Sequence, residues 1–206
     1  MFALIENQQI TKFYSGNKGV IIEDNQYPRS IFTLWSEAQR NAIGIFEVTV
    51  DTTNKKDEQW YINTNVSYGV ESNKAVGSYG AATPKLLEDR NETNEDGSPM
   101  LDADGNQVVT KGLKSQKKNI IKQQTAGILQ NTDWYIVRKA DAGTAVPSAV
   151  TTHRAAVRTK SNEMETAIDN ASDVDALATL YAYVNTGTEE NPVYERPLGE
   201  FPVLEN

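Results

Sequence analysis

Few residues in this chain can do chemistry, and their spacing narrows the choice further. His153 is its one histidine and there is no cysteine. That removes disulfide scaffolds, thiol nucleophiles, cysteine-based zinc or iron–sulfur sites and multi-histidine metal centres together. His153 alone titrates near neutrality without help, but a general base needs a partnered nucleophile and an orienting group. No such set can be built around it, and because it falls on the apolar stripe of a helix it reads as a packed or interfacial side chain. Glu163 and Glu165 stand at i and i+2 on that helix and point apart, so they form no carboxylate dyad. Glu92 and Asp96 are the acids a hydrolase would draw on. Glycoside chemistry asks for carboxyl groups about 5 to 9.5 Å apart, and nothing in the sequence positions such a pair.

Two runs invite a ligand. Asp102-Ala103-Asp104-Gly105-Asn106 superficially has the opening of a calcium-binding loop. In that loop glycine is sixth and glutamate twelfth, whereas here Gly105 is fourth and Leu113 is twelfth. Its Asp-Gly pair fits a tight hairpin turn between short apolar arms instead. Lys111, Lys114, Lys117, Lys118 and Lys122 follow with no acid until Asp133. Without arginine forks or interleaved aromatics, they read as a solvated helix face or as counter-charge for the acidic segment before them. Gly16-Asn17-Lys18-Gly19 lacks the spacing of a phosphate-cradling loop, and no GxGxxG or GxSxG occurs. No cofactor, metal or catalytic residue is therefore expected.

Composition points the same way. The 206 residues carry 20 Lys+Arg against 28 Asp+Glu, a formal charge of -8 that works against binding nucleic acid or anionic membrane. No stretch approaches about 18 uncharged apolar residues, so no membrane insertion is expected. Met1-Phe2-Ala3-Leu4-Ile5 meets Glu6 at once and has no basic region before it, which is unlike a signal peptide. The lack of cysteine fits synthesis in a reducing cytoplasm.

The elements that must position these residues change character along the chain. Residues 1–83 read as a β-rich module. Phe2 to Ile5 and Ile10 to Tyr14 flank a polar turn, and Ser36 is a good N-cap for a short helix that stops at Gly44. Ile45 to Val50 and Trp60 to Val70 alternate, with Lys55-Lys56-Asp57 as a turn between them, and so read as a second hairpin. Ser72-Asn73 supplies turn chemistry for a further strand over 74–81. Residues 84–111 are an acidic connector carrying the Asp-Gly hairpin. From 112 to 206 the period becomes 3.6. Leu113, Ile120, Ile121 and Ile128 line one helix, and Val150, His153, Val157, Met164 and Ile168 line a second that opens at Pro147. Ser172 is the expected cap of a third, running through Leu177 to Val184. A tail with Pro192, Pro197 and Pro202 is expected to be extended and to fit a groove.

Two stretches carry a resemblance. Leu129-Gln130-Asn131-Thr132-Asp133-Trp134 through Ala140, then Gly143 to Pro147 and His153-Arg154-Ala155-Ala156-Val157-Arg158, resembles the C-terminal segment of phage tail-fibre and tail-fibre-assembly proteins. In these a TDW helix end is followed by an extended loop, a proline and an R-x-A-x-R helix. Ala3 to Asn7, Tyr27-Pro28-Arg29-Ser30 and Ala42 to Val48 are similar to the N-terminal module of small tail-associated virion proteins. Together they span about two thirds of the chain. The resemblance implies a virion structural protein of the tail, tail fibre or baseplate, made in the host cytoplasm, whose partners are copies of itself and neighbouring tail proteins. The alternative is a tail-fibre assembly chaperone absent from the finished particle.

The expectation is an α+β chain: an antiparallel β-rich N-terminal module, the connector, then a three-helix module with an extended tail, its stability coupled to assembly. Trp134 is expected to end the first helix and plug its corner, burying about 150–250 Å². Arg154 and Arg158 at i and i+4 can reach Asp133 or Asp141. Because large rigid rings dominate interface energetics, Trp35, Trp60, Trp134 and Phe201 are the expected contact anchors.

Overall fold

Residues 1–204 are described by a computed structural model in which the chain divides into two compact units between Thr83 and Pro84. The first begins with β1 (Phe2–Glu6) and β2 (Gln9–Tyr14), a hairpin closed by Asn7 and Gln8, both at positive φ. That is the two-residue turn whose twist matches paired strands. A small hairpin, β3 (Val20–Ile22) with β4 (Asn25–Tyr27), leads into α1 (Ile31–Leu34) and α2 (Glu37–Asn41). Ser36 caps α2 with Gln39 reaching back, and Gly44 releases the chain at φ 78°. Then come β5 (Ile45–Asp51), β6 (Tyr61–Ile62), β7 (Val66–Glu71) and β8 (Lys74–Tyr79), with β9 (Thr83–Pro84) at the junction.

The main sheet runs β2-β1-β5-β8-β7 and is antiparallel except where β5 meets β8. The hairpin expected between residues 45–50 and 60–70 does not form. Ser72 and Asn73, both at positive φ, close β7 onto β8 through two residues, far cheaper in chain entropy than the long polar loop after β5. β5 takes the other edge of β8, running parallel to it. One sheet face sends Leu4, Tyr14 and Ile45 against Ile31, Phe32 and Val20, with Trp35 packed at the margin edge-on to Tyr27. The other face is lined by small residues, Ala3, Ala75 and Gly77. They let the sheet curl until its two edge strands meet. Phe13 and Tyr68 lie 4.9 Å apart, and Gln8 Nε2 donates to Asn73 Oδ1 at 3.0 Å, tying one hairpin turn to the other. Tyr68 crosses directly over Gly77, where a Cβ would sit 2.8 Å from its ring.

The second unit begins with the connector, in which β10 (Arg90–Asn91) pairs with β11 (Val109–Thr110). Beyond that ladder the backbone closes a ring. The Glu92 N–H donates to the Val108 carbonyl, Met100 N–H to Glu92, and Val108 N–H to Met100, while the Gln107 amide donates to all three carbonyls. Two like turns project from it. Asn94 to Ser98 and Asp102 to Asn106 each close with the same pair of backbone bonds and a glycine at φ 82°. The expected Asp-Gly hairpin is the second; the first repeats its chemistry eight residues earlier.

Four helices follow where three were expected: α3 (Leu113–Gln130), α4 (Asp133–Ala142), α5 (Ser148–Asp169) and α6 (Val174–Tyr181). Contacts of Lys118 with Asp169, Thr125 with Ser161 and Arg154 with Leu129 set α3 and α5 antiparallel. Ile121, Val157, Met164 and Ile168 fill the seam. Asp173 caps α6 through the Ala176 N–H, one residue beyond the expected Ser172, whose hydroxyl donates to the Asp173 carboxylate. The tail makes a short hairpin, β12 (Val184–Asn185) with β13 (Tyr194–Glu195), and then runs extended along its own helices. Leu198 is buried and its N–H donates to the Leu180 carbonyl. This arm is therefore seated in its own unit, not held out for a neighbour.

The connector also starts α3. The N–H groups of Gly112, Leu113 and Lys114 donate to Asp89 Oδ1, the Leu86 carbonyl and the Leu87 carbonyl, so three of the helix's unpaired donors are met by residues 86–89. Lys111 Nζ and the Gly112 N–H, both donating to Asp89, hold its carboxyl down to about 2. A depressed carboxyl contributes stability above its ordinary value of 3.8, lost as pH falls through the folded value. Titration followed by NMR should place Asp89 near 2, returning toward the ordinary aspartate range in Lys111→Met. Protection of the Gly112 amide should fade between those two pH values. A Cβ on Gly112 would collide with the Glu88 carbonyl, which is backbone and cannot swing aside. Gly112→Ala should therefore destabilise the unit by more than about 1 kcal/mol in urea unfolding.

Candidate interaction surface

His153 lies half-buried on α5, where its Nε2 donates to the Pro202 carbonyl at 3.1 Å while Nδ1 is buried without a partner. It fastens the tail. Glu92 accepts from Thr110 and Arg90, in that order of effect, and Asp96 from the hydroxyl and N–H of Ser98; both carboxyls are pulled below their ordinary values by these bonds. Asp102 is held down chiefly by the Asn106 N–H. Each acid is thus spent on shaping its own turn.

All five lysines of the run are engaged. Lys111 pairs with Asp89 and Lys114 with Glu88, Lys117 lies over the Tyr181 ring, and Lys118 and Lys122 pair with Asp169 and Glu165 of α5. The hydrogen bond from Lys118 to Asp169 pushes the Lys118 ammonium above its ordinary value. Counter-charge for the connector thus accounts for the first two, and the others fasten α3 to its neighbours.

The four expected anchors part company. Trp60 is 6% exposed and so belongs to the interior of the first unit. Trp35 is half-buried against the core around Leu4 and Ile31. Phe201 lines a groove of about 430 Å³ with Gln124, Gly127 and Ile128 of α3, as part of the seated tail. Trp134 alone stands out, 51% exposed.

Its exposure follows from the corner before it. Arg154 is 7% exposed; its guanidinium donates to the Leu129 carbonyl at 2.7 Å and to Thr132 Oγ1 at 2.7 Å, and pairs with Asp133 at 2.8 Å. The reach to Asp133 is as expected. Arg158 instead donates to the Arg154 carbonyl and does not meet Asp141. A charged fork meets the Leu129 carbonyl, Thr132 and Asp133 at once, where an indole has a single N–H to offer, so Arg154 takes the corner that Trp134 was expected to plug. Asp133 then opens a new helix, its carboxylate in the first turn favoured by the macrodipole, and Trp134 is the second residue of α4, not the last of α3.

α4 buries none of its ten residues. Trp134 stacks on Tyr135 at 3.7 Å, and the Arg138 guanidinium lies over both rings at 4.7 and 5.4 Å. Ile136 and Val137 are also exposed, Val137 by 65%. Trp, Tyr and Arg together are the side chains in which binding energy concentrates at protein interfaces. The spacing of apolar residues in this segment could have flagged the helix, but not its exposure. The whole chain exposes 13,788 Å². Two wholly separate compact bodies sharing 22.8 kDa in proportion to their lengths would expose only about 11,500 Å². The chain thus exposes more surface than compact bodies of its size.

Compared with protein-family models, characterised proteins and solved structures, the chain matches none. Among the described residues no group of three or more His, Asp or Glu converges to hold a metal, and no helix is long and apolar enough to cross a membrane.

The two tryptophans should respond oppositely to truncation. In urea unfolding Trp60→Ala should cost about 3–5 kcal/mol. Trp134→Ala should cost no more than about 1 kcal/mol, the worth of an exposed ring-and-guanidinium stack.

Proposed function

We propose that the chain is a non-enzymatic phage virion protein of the tail, tail fibre or baseplate region, working through contacts with copies of itself and with neighbouring tail subunits. One observation carries this reading: α4, a helix with no buried residue, offers Trp134, Ile136 and Val137 to solvent beside an arginine laid on aromatic rings. Isolated ten-residue helices are marginal in water, so one that packs so little is expected to gain its stability from a partner. The segment is also the one that resembles tail-fibre and tail-fibre-assembly proteins, from Leu129 through the TDW residues to Arg158. The excess of exposed surface supports the same reading. The helical connections and the capped turns build a shape, and Glu92, Asp96 and Asp102 are engaged in hydrogen bonds with neighbouring groups.

Mass spectrometry of purified particles of the encoding phage should detect the chain at a fixed ratio to other tail proteins. Its absence from particles, with co-purification from lysate alongside the fibre protein, would replace this reading with that of an assembly chaperone.

A further inference from the structure

We infer that copies of this chain associate head to tail, the acidic connector of one docking on the α4 face of the next. This rests on the assembly reading above and names a partner for it.

The argument begins with where charge is left over. In the second unit Lys111, Lys114, Lys118 and Lys122 are paired with carboxylates and Lys117 lies over Tyr181, while Arg154 pairs with Asp133, Lys160 with Glu163 and Arg196 with Glu200. Arg138, Lys139 and Arg158 have no carboxylate within ion-pair reach among the described residues. They lie on α4 and on the turn of α5 after Arg154. Of the acids without a cation, four lie together away from α4. Glu95, Asp96, Asp102 and Asp104 sit on the two like turns of the connector, where the hydrogen bonds of Asp96 and Asp102 come from backbone N–H, serine and asparagine groups and from no cation. All but Arg158 lie on segments without a buried residue.

These two sets are at opposite ends of one frame. Residues 86–89 are bound to the start of α3, and Lys114 ties that point to the Asp169 carbonyl at the end of α5. α4 leaves from the far end of α3, eighteen residues later, about 27 Å along the axis. One copy's connector is therefore rooted well away from its own α4. A second copy placed end to end brings them together.

The apolar groups match as well. Leu101 and Met100 are exposed between the connector's turns, and Trp134 and Val137 are exposed on α4. Arg138 already lies flat on the Trp134 and Tyr135 rings, and its Nε is buried without a hydrogen-bond partner. Its fork is preorganised for a carboxylate of the incoming turn. The receiving face holds two acids of its own: Asp133 is occupied by Arg154, and Asp141 stands at the last turn. The tail hairpin, with Glu189, Glu190 and Glu195, is the competing acidic element. It offers three carboxylates against four, Glu195 accepting from Thr186, and lacks the connector's backbone ring. A contact between unlike patches repeats from copy to copy, giving a ring if the rotation closes and a filament if it does not.

Sedimentation velocity on the full chain tests this. The wild type should associate with rising concentration, less so when salt is raised from about 0.05 to about 0.5 M. Arg138→Glu with Lys139→Glu should weaken association at least tenfold, and so should Asp102→Lys with Asp104→Lys. Mixed, these two double variants should co-assemble in alternation, since the unchanged connector of one meets the unchanged α4 of the other and the two reversed patches also complement each other. Thermal melts by circular dichroism should match the wild type, showing that each variant folds; a variant that fails this check is replaced by Trp134→Ala. A wild type still monomeric at 100 µM, variants that associate unchanged, a mixture that stays monomeric, or loss of association through Glu189→Lys with Glu190→Lys would each overturn the inference. A monomeric chain that is nonetheless present in purified virions removes this contact and leaves the assembly reading standing; a self-associating chain absent from virions does the reverse.

Discussion

Two buried cations close the ends of the α3–α5 pair, and the rest of the second unit is arranged around them. Lys114, near the start of α3, donates to the Asp169 carbonyl at the end of α5; Arg154, near the start of α5, donates to the Leu129 carbonyl at the end of α3. Each helix thus supplies the positive charge that the other's C-terminus needs. Hydrogen bonds of this charged kind contribute about 1.5–3 kcal/mol each. The carboxylates that accompany them, Glu88 and Asp133, are more than half exposed, so the ion pairs themselves add little. What the carboxylates do is positional: Glu88 brings the connector to one end, and Asp133 starts α4 at the other.

The surface follows from that arrangement. The lysines of α3 are engaged with α5, Tyr181 and the connector, whereas Arg138 and Lys139 of α4 have no carboxylate within ion-pair reach among the described residues. Once Arg154 fills the corner, the indole of Trp134 has no pocket to enter and turns to solvent. The run of lysines in this acidic chain is thus spent largely on neighbouring carboxylates and the Tyr181 ring.

The first unit solves a different problem, covering both faces of a short sheet in about eighty residues. α1 and the β3–β4 hairpin cover one face. The other is closed by the sheet itself, because Ala3, Ala75 and Gly77 leave room for it to curl and for Tyr68 to reach Phe13. Trp60 and Trp35 are drawn into this unit as packing residues, which leaves Trp134 as the one tryptophan more than half exposed.

Features governed by near neighbours along the chain are legible in the amino-acid order itself. The α+β order, the turns at Asn7-Gln8 and Ser72-Asn73, the Ser36 cap, the apolar stripe of α5 and the reach of Arg154 to Asp133 all follow from local dihedral preferences and from the 2.0 and 3.6 residue periods, whereas of the expected α3 stripe Leu113 and Ile121 are buried and Ile120 is exposed. Features decided by competition between distant segments are not. The parallel pairing of β5 with β8, the break that makes α4 a separate helix, the docking of the tail under Leu198 and the outward turn of Trp134 depend on which group reaches an empty place first. Periodicity shows that a face is apolar; only the packed chain shows what covers it, because burial and the satisfaction of helix-end carbonyls are properties of the assembled neighbours and not of the residue itself.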